Sequence, residues 1–297
     1  MALVAFVVNR TLLRDPRRFL LRCRAAATDR GWEPWFGPAG VQDSLALTRR
    51  AVAAGASLVF AAGGDGTVRA CAEALAGTGV PLAIVPLGTA NLTARALGVP
   101  SRDGRAVEAG FGGRDHAIDL GHLTLVEGAA GTWFAAMAGI GLDAAVVAGA
   151  GERLKRRLGW AAYAAAGVRR LALPPREFTI RPDGAEPLHR RARSVVVANA
   201  GLLPGGFTLL PAARLDDGLL DVGILAPSGG WDWIRLAGRV LAQGGRQDRA
   251  LECLQARRVQ VSADAVLPRQ IDGEIVAPGR ALTVSLCPGT LTVRLPG

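Results

Sequence analysis

Two short apolar runs, each leading straight into a glycine-rich turn and then a helical pattern, constrain this 297-residue chain more than any other feature. Ser57-Leu-Val-Phe-Ala-Ala62 leads into Gly63-Gly-Asp-Gly-Thr67 and then Val68–Leu75. Pro81-Leu-Ala-Ile-Val85 leads into Pro86-Leu-Gly-Thr-Ala-Asn91 and then Leu92–Leu97. A short, continuous apolar run bounded by turn signals reads as a strand buried on both faces, and alternation with helices builds a parallel sheet. Leu3–Val8 supplies an earlier strand, Arg17–Arg30 a basic amphipathic helix, and Leu45–Ala54 a further helix. The first third therefore reads as βαβ units.

Ligands in open α/β sheets sit beyond the carboxyl ends of adjacent strands, so the two turns define one crevice. Glycine lets backbone N–H groups approach an anion closely, and a helix N-terminus adds a favourable dipole. Gly63, Gly64, Gly66 and Gly88 fit that use, with Thr67, Thr89 and Asn91 able to bond a phosphate or cap a helix. Asp65 cannot cradle phosphate; it suits Mg²⁺, a ribose hydroxyl or an acceptor alcohol. A tight strand-to-helix turn capped by Asp65 or Thr67 accounts for the same letters. No Walker lysine follows, and the glycine spacing is not that of a dinucleotide fingerprint.

The remainder of the chain reads as a second kind of structure. Glu177–Arg181, Ser194–Asn199, Leu219–Leu225, Arg258–Ser262, Gln270–Val276, Ala281–Leu286 and Thr290–Leu295 are short β-rich segments. Turn residues such as Pro182-Asp-Gly184 and Pro288-Gly289 separate them, which predicts an antiparallel sandwich or barrel. Helices are expected near Arg153–Leu173 and Trp231–Gln243. The boundary falls after the stretch Gly110–Gly113, giving an α/β domain over residues 1–115 and a β-rich domain over 116–297. The last strand is able to return to the first domain.

Composition narrows the function classes. The chain is 50% hydrophobic and 20% charged, which excludes a disordered protein. Cys23, Cys71, Cys253 and Cys287 lie far apart, and His116, His122 and His189 lack ligand spacing, so neither a zinc cluster nor a disulfide framework is expected. A reduced, cytoplasmic protein follows. The opening apolar run lacks the preceding basic residues of a signal peptide. The longest uncharged stretches, Ala74–Ala94 and Ser194–Ala213, are broken by Gly, Pro and Asn, so no spanning helix is expected. A net charge of +10 favours anionic partners: nucleotide, nucleic acid or acidic headgroups.

Taken in chain order, the motifs resemble those of the bacterial diacylglycerol kinases and sphingosine kinase-like lipid kinases. They are Gly63–Thr67, Pro86–Pro100, Gly139-Ile-Gly-Leu-Asp143, Leu154–Gly159, Gly205-Gly206, Leu215-Asp-Asp-Gly-Leu-Leu-Asp-Val222 and Ile271-Asp-Gly-Glu274. The GGDGT loop is shared with NAD kinases and phosphofructokinases; the combination with LDDGLLDV and IDGE is specific to the lipid kinases. The resemblance implies a phosphofructokinase-like α/β nucleotide domain, a C-terminal antiparallel β-sandwich, and an active site in the cleft between them. It implies ATP phosphates on Gly64–Thr67 and Thr89, with Asn9 near them and Lys155 facing phosphate. It also implies Glu274 or Asp272 as proton acceptor, and a structural Mg²⁺ held by Asp217 and the carbonyls of Arg214 and Leu219, since oxygen ligands suit a hard cation.

Simpler readings stand beside these. Asp272-Gly273 between extended runs is a hairpin signal, and Asp216-Asp-Gly218 is a good turn into a strand. The run Arg153–Arg157 reads as a solvated helix face, or with Trp160 as a contact to an anionic membrane. The chain departs from the family at Asn9-Arg10, where Asn-Pro is usual, at Arg69-Ala70, where Asn-Glu is common, and at Leu92, commonly an acid. These changes bear on ATP affinity and activity rather than on fold.

The expectation is an ATP- and Mg²⁺-dependent kinase for a diacylglycerol-like lipid, peripheral to the inner leaflet, with no nucleic-acid partner. The rivals are a kinase for a soluble acceptor such as NAD, and a catalytically silent protein that binds lipid or nucleotide.

Overall fold

Val4–Val8 has no position at which a side chain would meet water without cost, and all five residues are buried. They lie in β1 (Ala2–Asn9), a central strand of the computed structural model, which describes residues 1–39, 43–125, 131–141, 174–203, 206–241 and 249–297. The chain divides into two compact units, Met1–Asp119 with Gly289–Gly297, and Leu120–Pro288.

The first unit alternates strand and helix: β1, α1 (Pro16–Thr28), β2 (Trp32–Ala39), α2 (Ser44–Ala53), β3 (Ala56–Gly63), α3 (Asp65–Leu75), β4 (Leu82–Pro86), α4 (Leu92–Ala96) and α5 (Asp103–Gly112). The strands run parallel in the order β2-β1-β3-β4. Burial on both faces explains their continuous apolar character. Phe6 stacks on Phe36 and Phe60, at centroid distances of 5.1 and 4.8 Å. Phe19 and Cys23 of α1 pack onto this layer. Asp15 caps α1, accepting the Arg18 N–H at 3.0 Å, and Pro16 opens the helix where its missing N–H costs nothing.

The second unit is antiparallel. β5 (Arg114–Thr124) crosses into it from the first and pairs with β6 (Thr132–Phe134). There follow β7 (Met137–Gly141), β8 (Arg176–Pro182), β9 (Leu188–Ala192), β10 (Ser194–Ala198), β11 (Leu202–Leu203), β12 (Phe207–Thr208), β13 (Leu220–Leu225), α6 (Gly230–Leu241), β14 (Leu251–Ala256), β15 (Arg258–Ile271) and β16 (Glu274–Leu295). The ladder runs β14-β13-β10-β7-β15-β16, and β8 also pairs with β15. Phe134, Ile140, Phe178, Val195, Val222, Val259 and Ile271 form its core.

An α/β first part followed by a β-rich second part is thus what the chain adopts. Several elements differ from expectation for identifiable reasons. The four short segments expected between Arg258 and Leu295 are two long strands. Gln270–Val276 is not one strand, because Asp272 and Gly273 take φ of +46° and +80° and reverse the chain. β15 passes Pro268 without ending because its register against β16 shifts on either side of Leu267. β2 was hidden by Pro34, Gly37 and Pro38, which an edge strand tolerates. α5 was hidden by its glycines; a Cβ at Gly110 would stand 2.3 Å from Phe60 Cε1, so the position needs glycine for packing. Pro288-Gly289 is no reversal: β16 runs through it, with Gly289 at φ +60° and its N–H donated to Asp119 Oδ1 at 2.8 Å. Beyond that point Val293 pairs in parallel with Leu82 of β4. The helix expected near Arg153–Leu173 lies outside the described residues.

Candidate active site

β3 ends at Gly63 and α3 begins at Asp65, so the chain turns from strand to helix within Gly64. Thr67 makes this turn tight: its buried side chain packs on Gly63, where a Cβ would lie 2.3 Å from Thr67 Oγ1. That hydroxyl has no hydrogen-bond partner among the described residues. Among the described residues no side chain caps α3; its N-cap is Gly64, in extended conformation. The first-turn amides and the dipole of an eleven-residue helix therefore emerge at a glycine.

The second loop is locked against the first. Leu87 N–H donates to Gly63 O at 2.9 Å, and a Cβ placed on Gly88 would lie 2.7 Å from Gly64 Cα. Only glycine permits that approach. Asp65 Oδ1 accepts the Leu92 N–H, the first amide of α4, at 2.6 Å. Asn91, in the left-handed region at φ +47°, closes the loop on itself: its Oδ1 accepts Gly88 N–H at 3.0 Å and its Nδ2 donates to Gly88 O at 2.7 Å. Its amide therefore shapes the loop. Thr89, between them, is exposed.

Asn9 is buried at the end of β1, and its Oδ1 accepts from Thr11 N and Oγ1 at 3.2 and 2.7 Å, capping the turn Arg10–Leu12. Leu12 of that turn lies 3.9 Å from a Cβ built on Gly64. The structure thus gathers Asn9, the Gly63–Thr67 loop and the Gly88–Asn91 loop at the carboxyl ends of β1, β3 and β4. Helix amides without a side-chain cap among the described residues, and the close glycine contacts, fit a phosphate chain.

In the second unit, the turn Ile271–Glu274 places Asp272 and Glu274 differently. Asp272 is 4% exposed, and its carboxylate accepts the N–H groups of Ala135, Ala136 and Met137 at 3.1, 2.9 and 2.9 Å. Glu274 opens β16 and is half-buried. Sequence reasoning missed the three amides, because a backbone donor has no letter of its own.

Asp217 is exposed, and its Oδ1 accepts Leu219 N–H at 3.0 Å across Gly218, which has φ +73°. Arg214 pairs with Asp216 at 3.1 Å. Asp221 of the same motif is buried, with Gln255 Nε2 3.4 Å from both its oxygens. Burial pushes the Asp221 carboxyl above its ordinary value, and the Asp217 charge adds to the rise. Among the described residues no three His, Cys, Asp or Glu side chains cluster as for a metal. One carboxylate with main-chain carbonyls remains a donor set of the right hardness for Mg²⁺. Lys155, Asp143, Trp160 and Gly205 lie outside the described residues.

Residues 15–123 match the model of the diacylglycerol kinase catalytic domain, and residues 136–295 that of the YegS C-terminal NAD kinase beta sandwich-like domain. A Pseudomonas aeruginosa protein named Probable lipid kinase YegS-like is 37% identical over 259 residues, covering 86% of this chain and 82% of that protein. The crystal structure of a diacylglycerol kinase from Bacillus anthracis superposes with a TM-score of 0.79 at 21% identity, covering 99% and 96% of the two chains. An NAD kinase from Archaeoglobus fulgidus in complex with ATP is more distant in fold, with a TM-score of 0.53 at 13% identity over 98% of this chain and 92% of that one.

Proposed function

Because the chain belongs to the lipid kinase family that joins a diacylglycerol kinase catalytic domain to a YegS-type C-terminal domain, we propose that it transfers the γ-phosphoryl group of ATP to the hydroxyl of a diacylglycerol-like lipid. The observation that carries this reading is the uncapped N-terminus of α3, bracketed by two glycine loops that Asp65 ties together. In this reading Gly64–Thr67 and Thr89 bind the phosphates through N–H and O–H donors. Asn9 and Asn91 shape that surface, and Lys155 supplies a cation by family resemblance.

Phosphoryl transfer needs positioning and charge neutralisation more than covalent help from the protein. The lipid oxygen attacks the γ-phosphorus, the bond to the bridging oxygen of ADP breaks, and the hydroxyl proton passes to a carboxylate. Glu274 is that carboxylate. Mg²⁺, when bound, supplies charge neutralisation; Asp217 with the carbonyls of Arg214 and Leu219 would hold one structural ion. The net charge of +10 suits peripheral work at the anionic cytoplasmic face of a membrane. No helix among the described residues is long and apolar enough to cross one.

The test is incubation of the purified protein with labelled ATP, Mg²⁺ and total bacterial lipid, and separately with NAD, comparing wild type with Asp65→Asn. Label in a lipid product from wild type alone is expected. Label in NAD, or an Asp65→Asn variant as active as wild type, would overturn the reading.

A further inference from the structure

We infer that Asp272 is not the proton acceptor of the Ile271–Glu274 turn but a positioning residue, whose carboxylate fills a nest of backbone amides and thereby fixes Glu274. The inference rests on the lipid kinase reading and divides two tasks between acids that the sequence leaves interchangeable.

Three consecutive amides converge on this one carboxylate. Ala135 N–H donates to Oδ2, while Ala136 N–H and Met137 N–H donate to Oδ1. Successive N–H groups curled in this way make an anion-binding concavity. Here the anion is the protein's own side chain. The Asp272 backbone joins in, donating its N–H to Met137 O at 2.8 Å, one step beyond the pairing of Ile271 with Ala138.

The carbonyls behind the nest are also engaged. Asn199 Nδ2 donates to Ala135 O at 3.1 Å, and the N–H groups of Asn199 and Ala200 donate to Ala136 O at 2.8 and 2.9 Å. The segment is buried and held from both sides. A proton arriving on Asp272 would put an O–H among three N–H donors and undo the nest. That is the wrong environment for a group that must take a proton at each turnover.

The consequence reaches Glu274 through two residues of chain. Asp272 and Gly273 both have positive φ, the geometry of a type I′ hairpin. Buried Gln270 braces the turn, its Oε1 accepting Gly273 N–H at 2.9 Å. Glu274 then pairs with Ile271 as the first residue of β16. Charge-assisted hydrogen bonds offset the strain of a left-handed aspartate, and the backbone that carries Glu274 is held at a defined height.

The test is a double-variant cycle with Asp272→Asn and Glu274→Gln, reading kcat, KM for ATP and Tm with diacylglycerol in phosphatidylglycerol vesicles as acceptor. Asparagine tolerates the left-handed region and keeps one oxygen for Ala136 and Met137, but turns N–H groups towards Ala135. Glu274→Gln is expected to lower kcat by about 10²–10⁴-fold. Asp272→Asn is expected to lower kcat by roughly 10- to 100-fold, as misplacement of a catalytic group does, with KM for ATP unchanged. In the Glu274→Gln background, Asp272→Asn should cost kcat nothing further, while its loss of Tm persists. Asp272→Asn costing the same factor of kcat in both backgrounds would overturn the inference alone. Normal turnover in Glu274→Gln would instead remove Glu274 as base, and the positioning role with it. Hydrogen exchange reads the nest without turnover: the Ala135 amide should stay protected in Glu274→Gln and open in Asp272→Asn. Unchanged protection in Asp272→Asn would overturn the nest.

Discussion

The loops of the first unit and the turn of the second use the same parts, backbone amides and an aspartate beside glycine, in opposite ways. At α3 the helix amides have no side-chain cap among the described residues, and Asp65 accepts the Leu92 N–H of the next helix. At Ala135–Met137 the amides converge on the carboxylate of Asp272, a residue of the same unit. A strand-to-helix turn can present its donors outward because helix geometry leaves the first four unmade. A hairpin buried against a neighbouring strand must satisfy every donor internally, since an unpaired buried amide costs about 1–3 kcal/mol.

The two glycines of these turns give the most forceful way to break the comparison. Gly88 is required by close approach, with Gly64 Cα 2.7 Å and Asn91 Oδ1 2.9 Å from where its Cβ would stand. Gly273 is required by its φ of +80°, for nothing lies within 4 Å of its Cβ position. Gly88→Ala should therefore cost about 10²-fold in turnover, as misplacement of a binding group does, and Gly88→Asn should recover none of it. Gly273→Ala should cost about 1–2 kcal/mol of stability, which Gly273→Asn largely restores because asparagine tolerates the left-handed region. Turnover assays beside denaturant unfolding decide it; equal rescue by asparagine at both sites would erase the distinction.

Asp221 sharpens the contrast from within the second unit. It is as buried as Asp272, but among the described residues its carboxylate meets only the Gln255 amide at 3.4 Å, and burial raises its carboxyl above the ordinary value. A carboxyl raised in the folded state binds its proton more tightly there than in the unfolded chain. Its stabilising share is complete below the unfolded value and is lost as pH rises through the folded one. Asp221→Asn should thus raise Tm at neutral pH and leave it unchanged below about pH 4, whereas Asp272→Asn should lower it at neutral pH. A pH series of melting curves for the two variants checks both signs.

The smallest effect concerns Asp217. Mg²⁺ should raise the melting temperature of wild type more than that of Asp217→Ala, because an ion stabilises only the state that binds it. Equal shifts would leave Asp217 as a turn residue, bonded to Leu219 and nothing more.

Much of this was legible in the amino-acid order. Continuous apolar runs such as Ser57–Ala62 marked buried parallel strands, because both faces of such a strand exclude water. Asp272-Gly273 marked a hairpin, since few residue pairs adopt two positive φ angles at little cost. Local conformational preference is a property of neighbouring residues, so it shows in their letters. What the letters did not contain is which backbone groups meet across long separations. That Gly88 needs to be glycine because Gly64 lies against it, that Asp65 reaches Leu92, and that Asp272 reaches amides 135 to 137 positions earlier in the chain are facts of packing. Every residue but proline carries the same N–H, so only the tertiary structure could show that Asp272, and not Glu274, takes the amides of Ala135–Met137.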